Sequence, residues 1–214
     1  MAGLWLPEVG KSETDMGKVE ENKQQKLEAM YKSAYNLFLA QGIAGTSIDD
    51  IVQTAGVAKG TFYLYFKDKY EIRDRLIART AGDLFMRAYD ELEKAHILPF
   101  EDKIIFIVDY VLDEMARNKA VLRFISKNLS WGIFRKALKK NENDTDVMAI
   151  FQELGEANPS VKLKAPETML FMIIELASST SYSTILENDP ISYEELKPYL
   201  NKSIRAIIRN HIES

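Results

Sequence analysis

The chain has 214 residues, of which 46% are hydrophobic and 28% charged, so it is long and apolar enough for one domain or two small ones with a substantial core. Its formal net charge of −4 argues against a protein that coats nucleic acid indiscriminately. It has no cysteine and only two histidines, His96 and His211, which predicts no catalytic residues, no metal site and no cofactor.

The beginning of the chain, residues 1–20, is polar and interrupted by Pro7 and Gly10, which predicts a disordered tail. This segment lacks the basic start and the apolar stretch of a secretion signal. We find no apolar run of the roughly 18 residues that a membrane span needs. These patterns predict a cytoplasmic protein without a membrane partner.

Apolar residues recur at three- and four-residue spacings along nearly the whole chain, which predicts an all-α fold. A first helix is expected over about 23–41, with Gly42 ending it. A second is expected to start at Ser47, because Asp50 three residues later completes a capping box, and to end at Gly56.

The third and fourth helices follow directly. The third is expected over about 58–66, with Phe62 and Phe66 on its buried face. The fourth is long, about 68–95, with Gly82 as its weak point. Further helices are predicted at about 100–117, 120–138, 144–156, 167–187 and 193–212. We therefore expect a three-helix head at 21–68 and a helical ligand-binding and dimerisation domain at 69–214, joined through helix four.

The third predicted helix has the two faces that a DNA-reading helix requires, one anchored in a core and one exposed to bases and phosphates. Its other side chains face outwards or sideways: Lys59, Thr61, Tyr63, Leu64 and Tyr65. Lys59 can reach a phosphate or a guanine edge, and Gly60 lets the helix backbone approach the duplex. Taken singly, each tyrosine could also be an ordinary half-buried aromatic. Together they predict a helix-turn-helix.

The order of these features resembles the TetR/AcrR family of transcriptional regulators. The segment LFLAQGIAGTSIDDIVQTAGVAKGTFYLYFKDKYEI contains a Phe-bearing helix end, a Gly, a Thr-Ser start and an Ala-Gly-Val turn. A Gly-Thr-aromatic-Tyr-x-Tyr-Phe recognition helix and a Lys that opens helix four come next. The resemblance covers about residues 26–77, and the remainder agrees in being helical and of suitable length.

The resemblance implies roles for individual residues in a complex with double-stranded DNA. The candidate DNA-binding residues are Thr46, Ser47, Lys59, Gly60, Thr61, Tyr63, Leu64, Tyr65 and Lys69. Thr46 and Ser47 would bond phosphates, and Tyr65 and Lys69 would hold the flanking backbone. The chain departs from the family at Ala58, where a Ser or Thr often caps the helix, a cap worth about 1 kcal/mol. Asp49 cannot contact phosphate and is interpreted as stabilising its helix N-terminus.

The last two predicted helices carry apolar stripes that suit a dimer, and in the resembled family these helices pair as a four-helix bundle. The candidate dimer residues are Met169, Ile173, Ala177, Thr180, Leu200, Ile204, Ile207 and Ile208. The small residues 177–181 would let a partner helix come close. The alternative is that these stripes are intramolecular core.

The resemblance also implies an effector cavity in the aromatic region between the head and the dimer helices. Its candidate residues are Phe85, Tyr89, Phe106, Tyr110, Phe124, Asn128, Trp131, Phe151, Met172 and Tyr182. Such cavities are mostly apolar, which favours a small apolar or aromatic effector. For a single residue, plain core is the alternative.

The sequence thus predicts a ligand-responsive transcriptional regulator, by family habit a repressor, that binds a pseudo-palindromic operator as a homodimer and is released by its effector. The alternative is a dimeric helical sensor of small molecules or protein partners without specific DNA binding. An enzyme is the weakest interpretation, because only carboxylates remain as catalysts and no pair of them stands out.

Overall fold

The structure is a computed structural model that describes residues 13–97, 99–126, 153–154 and 161–213. The helices of the described residues are α1 (Glu13–Gly45), α2 (Ile48–Ala55), α3 (Lys59–Tyr65), α4 (Lys69–Ala95), α5 (Phe100–Arg117), α6 (Lys119–Ser126), α7 (Pro166–Glu187) and α8 (Tyr193–Asn210). The predicted all-α fold is confirmed, and the bridge between Leu163 and Ile212 is the one extended pairing in the described residues. The predicted helices near 120–138 and 144–156 fall largely outside them.

The chain divides into two compact units, Met1–Arg73 and Asp74–Ser214. The predicted boundary at residue 68 lies just before α4, whereas the boundary between the units lies in the second turn of that helix. Helix α4 therefore begins in the first unit and continues into the second. It ends at Ala95, as the sequence predicted.

Helix α1 starts earlier than expected. Its first residue is Glu13, so residues 13–20 are helical where a disordered tail was predicted, and residues 1–12 lie outside the described part. The predicted break at Gly42 is confirmed, because its φ of 76° and ψ of 166° interrupt the helical geometry. A last helical stretch reaches Gly45 and leads into α2.

Helix α2 is held at both ends by the residues that the sequence indicated. The Ser47 side chain accepts a bond from the Asp50 N–H at 3.1 Å, and the Asp50 carboxylate accepts one from the Ser47 N–H at 2.8 Å. The Ser47 hydroxyl also donates to the Asp50 carboxylate at 2.7 Å, and this bond, together with the one from the Ser47 N–H, lowers the pKa of Asp50 below its usual value. At the other end, Gly56 adopts the left-handed conformation of a C-cap, with φ 68°.

Helix α3 is anchored by aromatic packing in the first unit. Phe62 and Phe66 are fully buried, as predicted, and their ring centroids lie 5.3 Å apart. Tyr31 of α1 meets the Phe66 ring edge-on at 5.4 Å. Edge-to-face and offset pairs of this kind stabilise the fold beyond the effect of the apolar area that they bury. This cluster fixes which side of α3 faces outwards.

In the second unit, α7 packs against α8, α6 and α5, and α8 also packs against α5. Polar contacts tie α8 to α5: the Tyr193 hydroxyl donates to Asp113 at 2.7 Å, and the Lys197 ammonium lies 2.9 Å from the same carboxylate. Further along, Arg205 pairs with Glu101 at 2.8 Å. Helix α8 is therefore fixed along its length by its own chain.

The predicted dimer stripes are wrong for most of their residues. Met169, Ile173, Ala177, Leu200, Ile204 and Ile208 are buried within the single chain, while Thr180 and Ile207 are half-buried. A side chain that is already buried has almost no surface to give to a partner. The exposed large apolar residues of these helices lie on another face: Phe171, Met172 and Tyr199.

Helix α7 also corrects the expectation about apolar runs. Among the described helices it is the one long and apolar enough, by length and composition alone, to cross a membrane, and 33% of its apolar window is buried. Core helices of soluble proteins can be equally long and apolar. An ionisable residue such as Glu175 in mid-helix would be costly in a bilayer, so we do not assign α7 to a membrane.

Candidate DNA-binding surface

The outward face of α3 carries two large side chains. Tyr63 is 53% exposed and Leu64 is 81% exposed, whereas the residue before them, Phe62, is buried. A single exposed apolar residue such as Leu64 needs no explanation by itself. With Lys59 and Gly60 also exposed and Thr61 half-buried, this face offers a cation, a phenol and an apolar side chain side by side.

Gly60 has no reason within the described protein to be a glycine. It lies inside α3, its φ is not in the left-handed region, and a Cβ built on it would have no heavy atom within 4 Å. A mid-helix glycine costs about 1 kcal/mol relative to alanine. The open backbone at this position is therefore available to something that approaches α3 from outside.

Lys59 has a partner that the sequence did not reveal. Its Nζ lies 2.8 Å from Oδ1 and 2.9 Å from Oδ2 of Asp49, in the first turn of α2. The hydrogen bond that Lys59 donates to the Asp49 carboxylate raises the pKa of Lys59 above its usual value, so the ammonium stays charged. Asp49 thus holds a cation of the neighbouring helix, in addition to its position at a helix N-terminus.

The two residues before α2, Thr46 and Ser47, differ in their exposure to solvent. Thr46 is buried and its hydroxyl donates to the Gly42 carbonyl at 2.8 Å, so the predicted phosphate contact by Thr46 is wrong. Ser47 is exposed, and its hydroxyl is occupied by the capping box with Asp50 at 2.7 Å. Ser47 remains on the surface next to Asp49, where a phosphate could reach it.

Tyr65 and Lys69 serve the fold of the first unit. The Tyr65 hydroxyl donates to the Lys23 carbonyl of α1 at 3.3 Å. The Lys69 ammonium donates to the carbonyls of Ile43 and Thr46, both at 2.8 Å. Each side chain is half-buried with its polar end turned to main-chain oxygens, and their role as holders of the flanking DNA backbone stays a prediction.

We expect Lys69→Met to destabilise the first unit by about 1–3 kcal/mol, because the carbonyls at the end of α1 lose a charged donor. The slope of DNA affinity against salt should stay unchanged, whereas loss of a phosphate contact would reduce it by about 1 per head. Urea unfolding and salt-titrated anisotropy measure the two effects. Lys67→Met at an exposed neighbouring position is the control and should change stability by less than about 0.5 kcal/mol. A reduced salt slope with unchanged stability would instead support the predicted phosphate contact of Lys69.

Sequence reasoning missed Tyr70, at the second residue of α4. Its ring is half exposed, and the Lys69 ammonium and the Arg73 guanidinium lie 5.6 and 5.1 Å from its centroid. A tyrosine beside two cations at a helix start is a suitable side chain to meet a phosphate backbone. Its position directly after Lys69 was the available signal.

Comparison with known proteins bears on this surface directly. The family model described as bacterial regulatory proteins, tetR family, matches residues 31–76, which run from α1 through α2 and α3 into α4. This segment is that of a TetR-type regulator. The resemblance stated for residues 26–77 is thereby confirmed.

The regulator is similar to curated bacterial proteins over most of its length. It is 22% identical to the uncharacterized HTH-type transcriptional regulator YhgD of Bacillus subtilis, over 87% of this chain and 98% of that protein. An HTH-type transcriptional regulator of Staphylococcus aureus (strain USA300) is 24% identical, over 86% of this chain and 94% of that protein. Both relatives are named as HTH-type transcriptional regulators.

Solved structures share the regulator's fold. The fatty acid degradation regulator FadR from Bacillus halodurans aligns with a TM-score of 0.59 at 16% identity, over 84% of this chain and 97% of that one. FadR from Bacillus subtilis, in complex with stearoyl-CoA, aligns with a TM-score of 0.59 at 17% identity, over 84% and 98%. The helical architecture after α4 is therefore also that of known regulators.

The predicted effector residues of the regulator are spread over four helices and the undescribed stretches. Half-buried among them are Phe85, Tyr89, Phe106, Tyr110 and Tyr182. Phe124 is buried and Met172 is 42% exposed, and the place of both in a cavity stays a prediction. Asn128, Trp131 and Phe151 lie outside the described residues. Burial, and then the nearby Glu93, raise the pKa of Tyr89, which stays a neutral hydroxyl.

Proposed function

We propose that this TetR-type regulator binds a specific, pseudo-palindromic DNA operator by placing α3 in the major groove. The observation that carries the proposal is the outward face of α3, where Lys59, Gly60, Tyr63 and Leu64 are exposed while Phe62 holds the helix from behind. A cation, a phenol and an apolar side chain can together meet guanine, phosphate and thymine methyl groups. The bare backbone at Gly60 supports a close approach of the duplex.

The proposal includes a homodimer, because a single head of this size makes few contacts and two heads can read successive major grooves about 34 Å apart. The exposed apolar residues Phe171 and Met172 of α7 and Tyr199 of α8 support a partner on this face. Ser203 and Ala206 are exposed beside Tyr199 and small enough to admit a close helix. A cytoplasmic location, with access to the chromosome, belongs to the same proposal.

The proposed regulation is release by a small apolar or aromatic effector, and the proposed outcome of operator binding is repression. FadR of Bacillus subtilis was solved with stearoyl-CoA, a ligand with a long apolar chain, which supports an effector with a large apolar part for this fold. Helix α4 runs from the first unit into the second and is the element that could carry the signal. A coupling of about 1–3 kcal/mol would lower operator affinity about 5- to 150-fold.

The test compares Gly60→Ala and Tyr63→Ala with the wild-type chain on the duplex upstream of its own gene and on a shuffled duplex, at several salt concentrations. We expect Gly60→Ala to raise helix stability by up to about 1 kcal/mol and yet to weaken binding, because the added methyl group meets the duplex. Tyr63→Ala should weaken binding by about tenfold, the loss of about 1.4 kcal/mol of contact.

Circular dichroism melting controls for the fold of both variants. Wild-type binding that is independent of salt and sequence, or Gly60→Ala binding as tightly as wild type, would contradict the proposal. In that case the dimeric sensor without specific DNA binding would be the better description of the chain.

A further inference from the structure

We propose that Asp49 is a positioning residue for DNA reading: it holds the Lys59 ammonium against α2, directed at the base edges and away from the phosphate backbone. The inference rests on the proposed function and assigns a specificity role to a side chain that cannot itself bind phosphate. It follows from the juxtaposition of the first turn of α2 with the first residue of α3.

The Asp49 carboxylate clamps the Lys59 ammonium through both of its oxygens. Both carboxylate oxygens of Asp49 lie within 2.9 Å of the Lys59 Nζ, so the ammonium is held by two acceptors that belong to another helix. A lysine without such a partner carries its ammonium on a flexible four-carbon stem, so the ammonium can occupy many positions. The ammonium has three donors, and the clamp leaves capacity for a guanine acceptor.

Asp49 is available for this task because Asp50 does the capping of α2. The Asp50 carboxylate bonds the Ser47 hydroxyl at 2.7 Å and the Ser47 N–H at 2.8 Å. The side chains of Asp49 and Lys59 remain 69% and 51% exposed, so duplex DNA can reach the pair. The pair therefore belongs to the surface that α3 presents.

A carboxylate on a DNA-facing surface lowers affinity for any duplex, because it repels phosphates. Simple competition of Asp49 with DNA for Lys59 could not improve discrimination, since it would weaken operator and non-operator complexes alike. Holding Lys59 in place can improve discrimination, because the held ammonium reaches a base in the correct register and does not move to a phosphate elsewhere. The pair thus separates base reading from non-specific attraction.

The experiment is a double-mutant cycle of Asp49→Asn and Lys59→Gln in the full-length protein. The probes are a duplex selected from random sequence by the wild-type chain and a shuffled duplex of the same composition. In Asp49→Asn, operator affinity should fall while non-operator affinity is equal or higher, so that the ratio of the two falls by about tenfold. The salt slope on the shuffled duplex should steepen by about 1 per head, because Lys59 is released to phosphates.

In the Lys59→Gln background, Asp49→Asn should leave the ratio unchanged, because the positioned cation is gone. A parallel rise of both affinities in Asp49→Asn would show plain competition and overturn the inference, as would a parallel fall together with a lower melting temperature. An effect of Asp49→Asn that persists in Lys59→Gln would overturn it as well. Failure of the wild-type chain to discriminate any duplex would instead overturn the proposed function.

Discussion

Replacing Phe62 with alanine is expected to lower the free energy of unfolding of the N-terminal unit by about 3–5 kcal/mol. Phe62 is fully buried and its ring packs 5.3 Å from that of Phe66, so the substitution removes a large apolar side chain and leaves a cavity. Helix α3 has only seven residues, and a helix of that length does not persist without packing. DNA binding should be lost together with the fold of this unit.

Urea unfolding followed by circular dichroism measures the loss, and anisotropy on a labelled duplex measures binding. Leu64→Ala is the matched control, on the same helix and of the same chemical kind. Because Leu64 is 81% exposed, its truncation should change stability by less than about 0.5 kcal/mol while it weakens operator binding. If both variants destabilised the chain equally, the assignment of inner and outer faces of α3 would be wrong.

Replacing Met172 with glutamate is expected to convert the proposed homodimer into monomers at micromolar concentration. Met172 is 42% exposed, and the preceding residue of α7, Phe171, is 40% exposed. An unpaired charge buried at an interface costs about 3–5 kcal/mol, and two-fold symmetry would bury two of them. The dissociation constant of the dimer should rise at least about 100-fold, and operator affinity should fall with it.

Sedimentation velocity measures the oligomeric state, and the same duplex titration measures binding. Arg123→Glu is the control, since it places an acidic residue at an exposed position of α6. It should leave the sedimentation coefficient unchanged. A Met172→Glu variant that sediments like the wild-type dimer would show that the partner binds elsewhere, and a monomeric wild type would remove the dimer from the proposal.

The sequence predicted best those features whose causes lie within a few residues. The capping box of Ser47 and Asp50, the break at Gly42 and the buried face of α3 each depend on local spacing, and the structure has them all. The start of α4 also has a local cap, in which Asp68 accepts from the Glu71 N–H at 2.9 Å and the Glu71 carboxylate accepts from the Lys67 N–H at 2.7 Å.

The contacts that the sequence did not reveal concern side chains whose partners are distant in sequence. Lys69 bonds the Ile43 carbonyl, and Tyr65 bonds that of Lys23; a main-chain oxygen leaves no sign of itself in the residue type. The pair of Asp49 and Lys59 joins two helices across a turn, and its existence depends on the angle between them. The sequence indicates that residue 59 is a lysine, but it does not indicate which carboxylate pairs with that lysine.

The dimer face was misplaced for a related reason. Helix α7 is apolar on more than one side, so periodicity identifies apolar positions without separating those that face α8 from those that face a partner. Ile173 is buried and Met172, its neighbour, is exposed, although both are equally apolar in the sequence. Only the packing of α7 in the folded chain distinguishes them.

The backbone angles of Gly42 and Gly56 bear on the genetics of this regulator. Gly42 has φ 76° with ψ 166°, a region open essentially to glycine alone, and Gly56 has φ 68°. A side chain at either position would touch no neighbouring atom within 4 Å, yet it would force the chain to leave α1 or α2 in another direction. A screen for loss of regulation should therefore recover alleles at these two glycines as readily as at Tyr63, even though neither glycine contributes to the outward face of α3.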